Sequence, residues 1–213
     1  MTKTLKILIA DDHEVVRQGL ERILQKEYPN ALIECVADGQ DIVNKVLKSE
    51  WDLVISDLSM PGKTGIEALE DIRKHYPKLP VLILTMHPEE QYAMRALRAG
   101  ASGYLSKSMD SAELITATRR VLMGRRYITP SLAEKLSDLV NGPADNLPHQ
   151  TLSNREFEVM KLLAKGVSLI EIGRTLSVTP TTVSTYRTRI LHKMKVANNS
   201  DLTRYAIANH LID

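Results

Sequence analysis

Disulfide frameworks, aromatic-rich cores and membrane spans all lie beyond what this chain's composition can build. Its one cysteine, Cys35 in LIECVA, permits no internal disulfide. A single Cys among apolar neighbours is far more often a core residue than a nucleophile. Aromatics make up 4% of the 213 residues, so cores must rest on Leu, Ile, Val and Ala. No apolar run approaches the ~18 residues that cross a bilayer. The opening MTKTLKILIADDHE has too short an apolar run for a secretory signal, and that run ends in acids. These absences predict a cytoplasmic protein with no membrane partner. Neither G-x-G-x-x-G nor G-x-x-x-x-G-K-S/T follows the first apolar run, which counts against a nucleotide-cofactor enzyme.

What is present suits two modest domains. With 43% hydrophobic and 25% charged residues, both halves can bury a core. The net charge of +2 hides a change of sign. Residues 1–124 carry 16 Lys and Arg against 18 Asp and Glu, whereas residues 125–213 carry 12 against 8. The basic second half hints at a polyanionic partner.

Five short apolar runs punctuate residues 1–124: Ile7–Ala10, Leu32–Val36, Leu53–Ser56, Val81–Leu84 and Gly103–Leu105. Several are almost wholly apolar, the mark of parallel strands covered on both faces. Helical spacing fills the gaps, as in Val15, Val16, Leu20, Ile23 and Leu24, or Leu114, Ile115, Thr118, Val121 and Leu122. Five strand–helix units predict an α/β domain with a doubly wound five-stranded parallel sheet over 1–124. Residues 125–150 read as a linker holding a short helix, Pro130–Val140, followed by the structureless NGPADNLPHQ. Residues 151–213 read as a small all-α domain. Ser153 and Glu156 open it with a capping box, and a helix–turn–helix follows through Ser168–Leu176, a turn at Ser177–Thr179, and Pro180–Lys195.

The predicted strands end at Asp11-Asp12, at Asp57, at Thr85 and just before Lys107. Strands of one parallel sheet share a carboxyl edge, where ligands bind. Crowded carboxylates repel one another, and a hard divalent cation such as Mg²⁺ relieves that with oxygen ligands. Asp57 can then act as an oxygen nucleophile, Lys107 as an opposing point charge and Thr85 as a hydrogen-bond partner. Phosphoryl transfer asks mainly for such positioning and charge neutralisation. Any one of these acids alone would read as a loop-end cap; the ordered set at strand ends is what argues for a site.

Asp11-Asp12, Asp57 in SDLSMPGKTG, Thr85 and Lys107 together resemble the receiver domain of response regulators, over about residues 4–124. The resemblance implies a flavodoxin-like fold with Asp57 as phosphoacceptor. It implies Mg²⁺ held by Asp11, Asp12, Asp57 and the backbone carbonyl of Ser59, and phosphoryl contacts from Thr85 and Lys107. Tyr104 falls at the position of the family's switch aromatic, which works with Thr85; packing at a strand edge is an equal reading. Pro61-Gly62 and Gly65 fit the tight turn after the phosphorylation site. Lys107 is followed by Ser108 where many relatives carry a proline-bearing turn. His13 and His87 lie beside the cleft, with surface or packing roles expected, since Mg²⁺ disfavours imidazole.

In the second half, Ile170, Ile172 and Leu176 are expected to anchor the first helix of the helix–turn–helix. Pro180–Lys195 carries four Lys or Arg and no acid. SLIEIGRTLSVTPTTVSTYRTRILHKM resembles the LuxR-type helix–turn–helix, and the whole chain resembles the NarL/FixJ subfamily of response regulators. That implies a sensor histidine kinase and double-stranded DNA as partners, and a homodimer on activation. Ser184, Thr185, Arg187, Thr188 and Lys193 are the implied DNA contacts. The last helix (Leu202, Tyr205, Ala206, Leu211) resembles a dimerisation surface, with packing inside its own domain an equal alternative.

The expected function is a phosphorylation-controlled transcriptional regulator, not an enzyme. The alternative is a regulator that binds DNA or a partner without phosphorylation. A phosphatase with Asp57 as nucleophile is disfavoured, because haloacid-type enzymes need a second Asp where Ser59 stands.

Overall fold

The computed structural model describes residues 4–134 and 147–212. The chain divides into two compact units, Met1–Val140 and Asn141–Asp213.

The first unit alternates strand and helix: β1 (Lys6–Ala10), α1 (Glu14–Glu27), β2 (Leu32–Val36), α2 (Gly39–Lys48), β3 (Leu53–Ser56), α3 (Gly65–His75), β4 (Val81–Thr85), α4 (Glu89–Arg98), β5 (Gly103–Ser106) and α5 (Ser111–Leu122). The sheet order is β2-β1-β3-β4-β5, and every pairing is parallel. This is the doubly wound sheet expected from the alternating runs. The order reverses direction between β1 and β3, which opens a crevice at their carboxyl ends. Every residue of β3 and β4 is buried, matching their near-continuous apolar sequence. Ile7, Ile9, Leu24, Leu53, Leu82 and Leu114 form the heart of the core. Burying such a side chain stabilises by roughly 1.5–3 kcal/mol. Side-chain caps start two of the helices beside the crevice: a Thr64–Glu67 capping box on α3 and Asp110 on α5.

Two elements depart from expectation. Cys35 is exposed rather than in the core, because β2 is an edge strand with one solvated face. Part of the segment read as linker packs on the first unit. Tyr127 forms an isolated parallel bridge with Gly103, its N–H donating to the Ser102 carbonyl at 2.8 Å. The Tyr127 hydroxyl donates to Glu113 at 3.0 Å and that of Thr129 to Glu89 at 2.8 Å, while Leu132 is buried. Residues 130–134 are helical; the remainder of the expected Pro130–Val140 helix, and residues 141–146 of the linker, lie outside the described residues.

The second unit is helical throughout its described residues. A short 3₁₀ turn (Pro148–Thr151) leads into α6 (Asn154–Ala164), α7 (Leu169–Thr175), α8 (Pro180–Met194) and α9 (Asn199–Ala208). Each helix is started by a polar cap: Ser153 and Ser168 in capping boxes, then Thr179 and Asn198. Phe157, Met160, Ile172, Val183, Ile190 and Leu202 close the core. The α7–α8 turn is tight. A Cβ on Gly173 would meet the Val178 carbonyl oxygen at 2.8 Å, so only glycine sits there without a shift. Ile170 is 56% exposed, against expectation, and Ile172 carries the anchoring of this seven-residue helix instead.

Candidate functional site

Four loops meet at the carboxyl edge of the sheet. Backbone bonds carry the register past the strands and fix their direction: Asp57 N–H to Ala10 O at 2.7 Å, and Lys107 N–H to Thr85 O at 2.9 Å. Asp57 leaves β3 with its carboxylate in the crevice and only 5% of its surface exposed. Its Oδ1 accepts the Leu58 N–H at 2.6 Å, and its Oδ2 lies 2.8 Å from Lys107 Nζ. The same ammonium is 2.6 Å from Asp11 Oδ2. Lys107 thus bridges two buried carboxylates that arise 46 residues apart in sequence. α3 begins against this site. A Cβ on Gly65 would fall 2.0 Å from the Asp57 carbonyl oxygen, so the tight turn read there from sequence needs its glycine. After Lys107, the Ser106 hydroxyl contacts that of Ser108 at 2.7 Å and accepts the Ser108 N–H at 3.2 Å, making the turn without proline.

The electrostatics follow from burial. Desolvation pushes the Asp57 carboxyl above its ordinary value; contact with Lys107 pulls it back, and the nearby charge of Asp11 raises it again. Burial draws the Lys107 ammonium down, but its contacts with Asp11 and Asp57 outweigh that and hold it above its usual value.

One ammonium does not neutralise this cleft. Ligand atoms of Asp11, Asp12, His13 and Asp57 all lie within 4.8 Å of one another. Asp11 Oδ2, although close to Lys107, is buried without a hydrogen bond of proper geometry. Three carboxylates gathered around one ammonium suit a metal ion, and their oxygen atoms suit a hard one. His13, expected beside the cleft, is 67% exposed and sits 2.8 Å from Asp12.

Thr85 is buried at the same edge, but its hydroxyl accepts the His87 N–H at 3.3 Å. Tyr104 is 1% exposed, and its hydroxyl donates to the His87 carbonyl at 2.9 Å. Burial raises its pKa further above the ordinary tyrosine value. His87 also meets the Ser59 hydroxyl through Nε2 at 2.6 Å and stacks on Tyr92. It therefore links the Ser59 loop to Thr85 at the end of β4 and to Tyr104 of β5. Its place beside the cleft was expected from the sequence; its contacts with Ser59 and Tyr104 were not.

On the second unit, Ser184, Thr185, Thr188, Arg189, His192 and Lys193 are exposed along α8. Four of the expected DNA contacts have partners inside the unit. Arg187 is half-buried and donates from Nε to Asn199 Oδ1 at 2.8 Å. Lys193 reaches the buried carboxylate of Glu156 at 2.6 Å. The hydroxyls of Thr185 and Thr188 donate to carbonyls four residues back. Leu202, Ala206 and Leu211 are buried within the unit, while Ser200, Arg204, Ile207 and Ala208 are exposed on α9.

Comparison with known proteins joins the two halves. Residues 7–119 match the response regulator receiver domain, and residues 150–206 match the bacterial regulatory proteins of the luxR family. The chain is similar to the oxygen regulatory protein NreC of Staphylococcus carnosus, 38% identical over 98% of this chain and 100% of that one. It is similar to the response regulator UvrY of Escherichia coli, 33% identical over 97% of this chain and 95% of that one. Among solved structures it resembles RcsB of Salmonella enterica serovar Typhimurium bound to the rprA promoter in the presence of the phosphomimetic BeF₃⁻. That match has a TM-score of 0.63 and 27% identity, covering 96% of this chain and 100% of that one.

Proposed function

The chain belongs to the response regulators that join a receiver domain to a LuxR-type DNA-binding domain, and from that premise we propose that phosphorylation of Asp57 by a sensor histidine kinase controls its binding to DNA. It is a two-component transcriptional regulator rather than an enzyme. In this reading residues 1–124 receive the signal, 125–150 link the halves, and 151–213 bind DNA in the cytoplasm. The observation that carries the phosphoacceptor role is the bridge from Lys107 to Asp57 and Asp11, at 2.8 and 2.6 Å.

Asp57 attacks the phosphorus of a phosphohistidine. An O–P bond forms as the P–N bond breaks, and the ring nitrogen keeps the electron pair. The Leu58 N–H holds one Asp57 oxygen and Lys107 attends the other, so the carboxylate is oriented before the phosphoryl group arrives. Asp11, Asp12, Asp57 and the Ser59 carbonyl would hold Mg²⁺, which when bound offsets charge on the phosphoryl oxygens. Lys107 then moves its contact from carboxylate to phosphoryl oxygen. The Thr85 hydroxyl, now turned to the His87 N–H, reorients toward the phosphoryl group. Because Tyr104 is already inside and tied to His87, the displacement passes to the loop of residues 86–88. A few kcal/mol of preference between loop positions suffices to shift a two-state equilibrium. The active form is a homodimer that offers two α8 helices to half-sites about one helical turn apart. Ser184, Thr185 and Thr188 face the bases, with Arg187 and Lys193 reaching DNA once freed from Asn199 and Glu156.

Labelling with radioactive acetyl phosphate tests the acceptor: the wild type takes up label in Mg²⁺, and Asp57→Asn does not. Retained acyl-phosphate label in that variant would sink the assignment. One observation favours regulation without phosphorylation, namely the inward Tyr104 ring. Equal DNA affinity with and without beryllofluoride would support that second reading.

A further inference from the structure

The edge of the sheet opposite the acidic cleft carries an unexplained concentration of positive charge. Here α3, α4 and α5 end, and a cleft of about 180 Å³ opens between their C-termini. Arg73, Lys78, Arg125 and Arg126 line it, and no Asp or Glu does. Elsewhere in this unit cations meet acids: Lys45 with Glu34, Lys63 and Lys74 with Asp71, and Arg119 with Glu27. In the cleft, four cations gather with no acid among the lining residues. Arg73 is fixed at its back by carbonyls alone. Nε and Nη2 donate to Gly100 O at 3.0 and 2.7 Å, and Nη1 donates to Leu79 O at 2.6 Å. Burial is the main cause that lowers the Arg73 pKa, and repulsion from Arg126 adds to it. Among the described residues, no side-chain hydrogen bond or ion pair involves Lys78, Arg125 or Arg126.

Helix dipoles explain only part of this. Three helix C-termini contribute roughly −0.5 charge each, about −1.5 together. Four cations exceed that by more than two charges. The neighbouring carboxylates, Glu50 and Asp52, belong to an adjoining groove, and Asp52 Oδ2 accepts the Lys6 N–H at 2.9 Å. That groove has a volume of about 770 Å³, includes Trp51, His75 and Tyr76 in its walls, and shares Pro77, Lys78, Pro80, Val121 and Gly124 with the cationic cleft. A charged head and a larger, partly aromatic body would therefore fit side by side. Volumes of ~300–1,000 Å³ are those of small-molecule sites.

We propose that the cationic cleft is a binding site for the phosphate oxyanions of a small phosphorylated compound, with the adjoining groove as the seat of its organic body. Guanidinium pairs suit phosphate better than a single carboxylate, since their donors match its geometry and its multiple charge. A site so placed sits at the start of residues 125–134, far along the sheet from Asp57, and is independent of phosphorylation.

The test titrates the full-length protein with pyrophosphate and with ADP, in EDTA so that the acidic cleft holds no divalent ion. Trp51, the chain's one tryptophan, lines the groove and reports by its fluorescence. Pyrophosphate binding is followed by calorimetry. Saturable binding is expected, weakened about tenfold or more in the Arg125→Ala/Arg126→Ala double variant. Both arginines are exposed, so the thermal midpoint should not move. A Trp51 change with ADP, but not with adenosine, assigns the groove to the organic body; pyrophosphate binding without it leaves inorganic polyphosphate as the ligand of the cleft. No saturation by either probe up to about 10 mM overturns the site. So does unchanged affinity in the double variant, or affinity lost only on Asp57→Asn.

Discussion

The two halves of the molecule place their working residues in opposite environments. In the receiver unit Asp11, Asp57 and Thr85 are 1–5% exposed and already tied to neighbours. In the helical unit Ser184, Thr185, Thr188 and Arg189 stand in solvent on α8. The first site must be built before its substrate arrives, because small displacements weaken phosphoryl transfer steeply. The second must meet a large polyanion, so its groups are left on the surface and the fold beneath them does the organising. Function and stability are therefore entangled in the receiver and separable on α8.

Removing Lys107 should have the largest effect. Lys107→Ala leaves Asp11 and Asp57 buried without their cation, a loss on the order of 3–5 kcal/mol. Thermal unfolding in EDTA should show it, with partial recovery in Mg²⁺. Asp57 already lies above its ordinary value, so it binds a proton more readily folded than unfolded. The deficit of the variant should accordingly shrink as the pH falls. A neutral effect on stability would break the contrast between the halves.

Gly65→Ala comes next, at about 1–3 kcal/mol and a lower rate of labelling, since its Cβ would press on the Asp57 carbonyl. Stability and phosphorylation should fall together; if labelling holds while stability drops, the α3 start is scaffold only.

Glu156 tests the border between fold and surface. It caps α6 and holds Lys193, and although burial raises its pKa, Lys193 and Ser153 bring it below its ordinary 4.5. A depressed carboxyl stabilises above its unfolded pKa, and that contribution is lost as pH falls through the folded value. Glu156→Gln should cost about 1–2 kcal/mol at neutral pH. The gap to wild type should close below pH 4.5 in denaturant titrations. It should also free Lys193 and raise DNA affinity at low salt.

The smallest stability effect belongs to Arg189→Ala, within about 0.5 kcal/mol. Its DNA affinity should drop on all sequences alike, with the slope against log salt shallower by about one. A large stability loss there would mean that α8 is not the separable surface it resembles.

Much of the receiver was legible because its signals are local. Apolar runs of three to five residues named the strands, and the polar residues just beyond them pointed to the cleft. The Ser153–Glu156 capping box was readable for the same reason. What escaped is long-range pairing. Arg187 with Asn199, Lys193 with Glu156, and His87 with Ser59 depend on which helices and loops become neighbours. Cys35 was misplaced because LIECVA looks the same at a sheet's centre and at its rim. Ile170 was misplaced because a seven-residue helix has too few turns to show which face is inward.

The bridge from Tyr127 to Gly103 bears on how the receiver can be cut from the chain. An excised fragment ending at residue 124 would bare the outer flank of β5 and empty the seat of Leu132. Bare flanks recruit strands from other molecules. A fragment carried through residue 134 keeps its own sheath, so it should stay monodisperse in concentrations at which the shorter piece clumps.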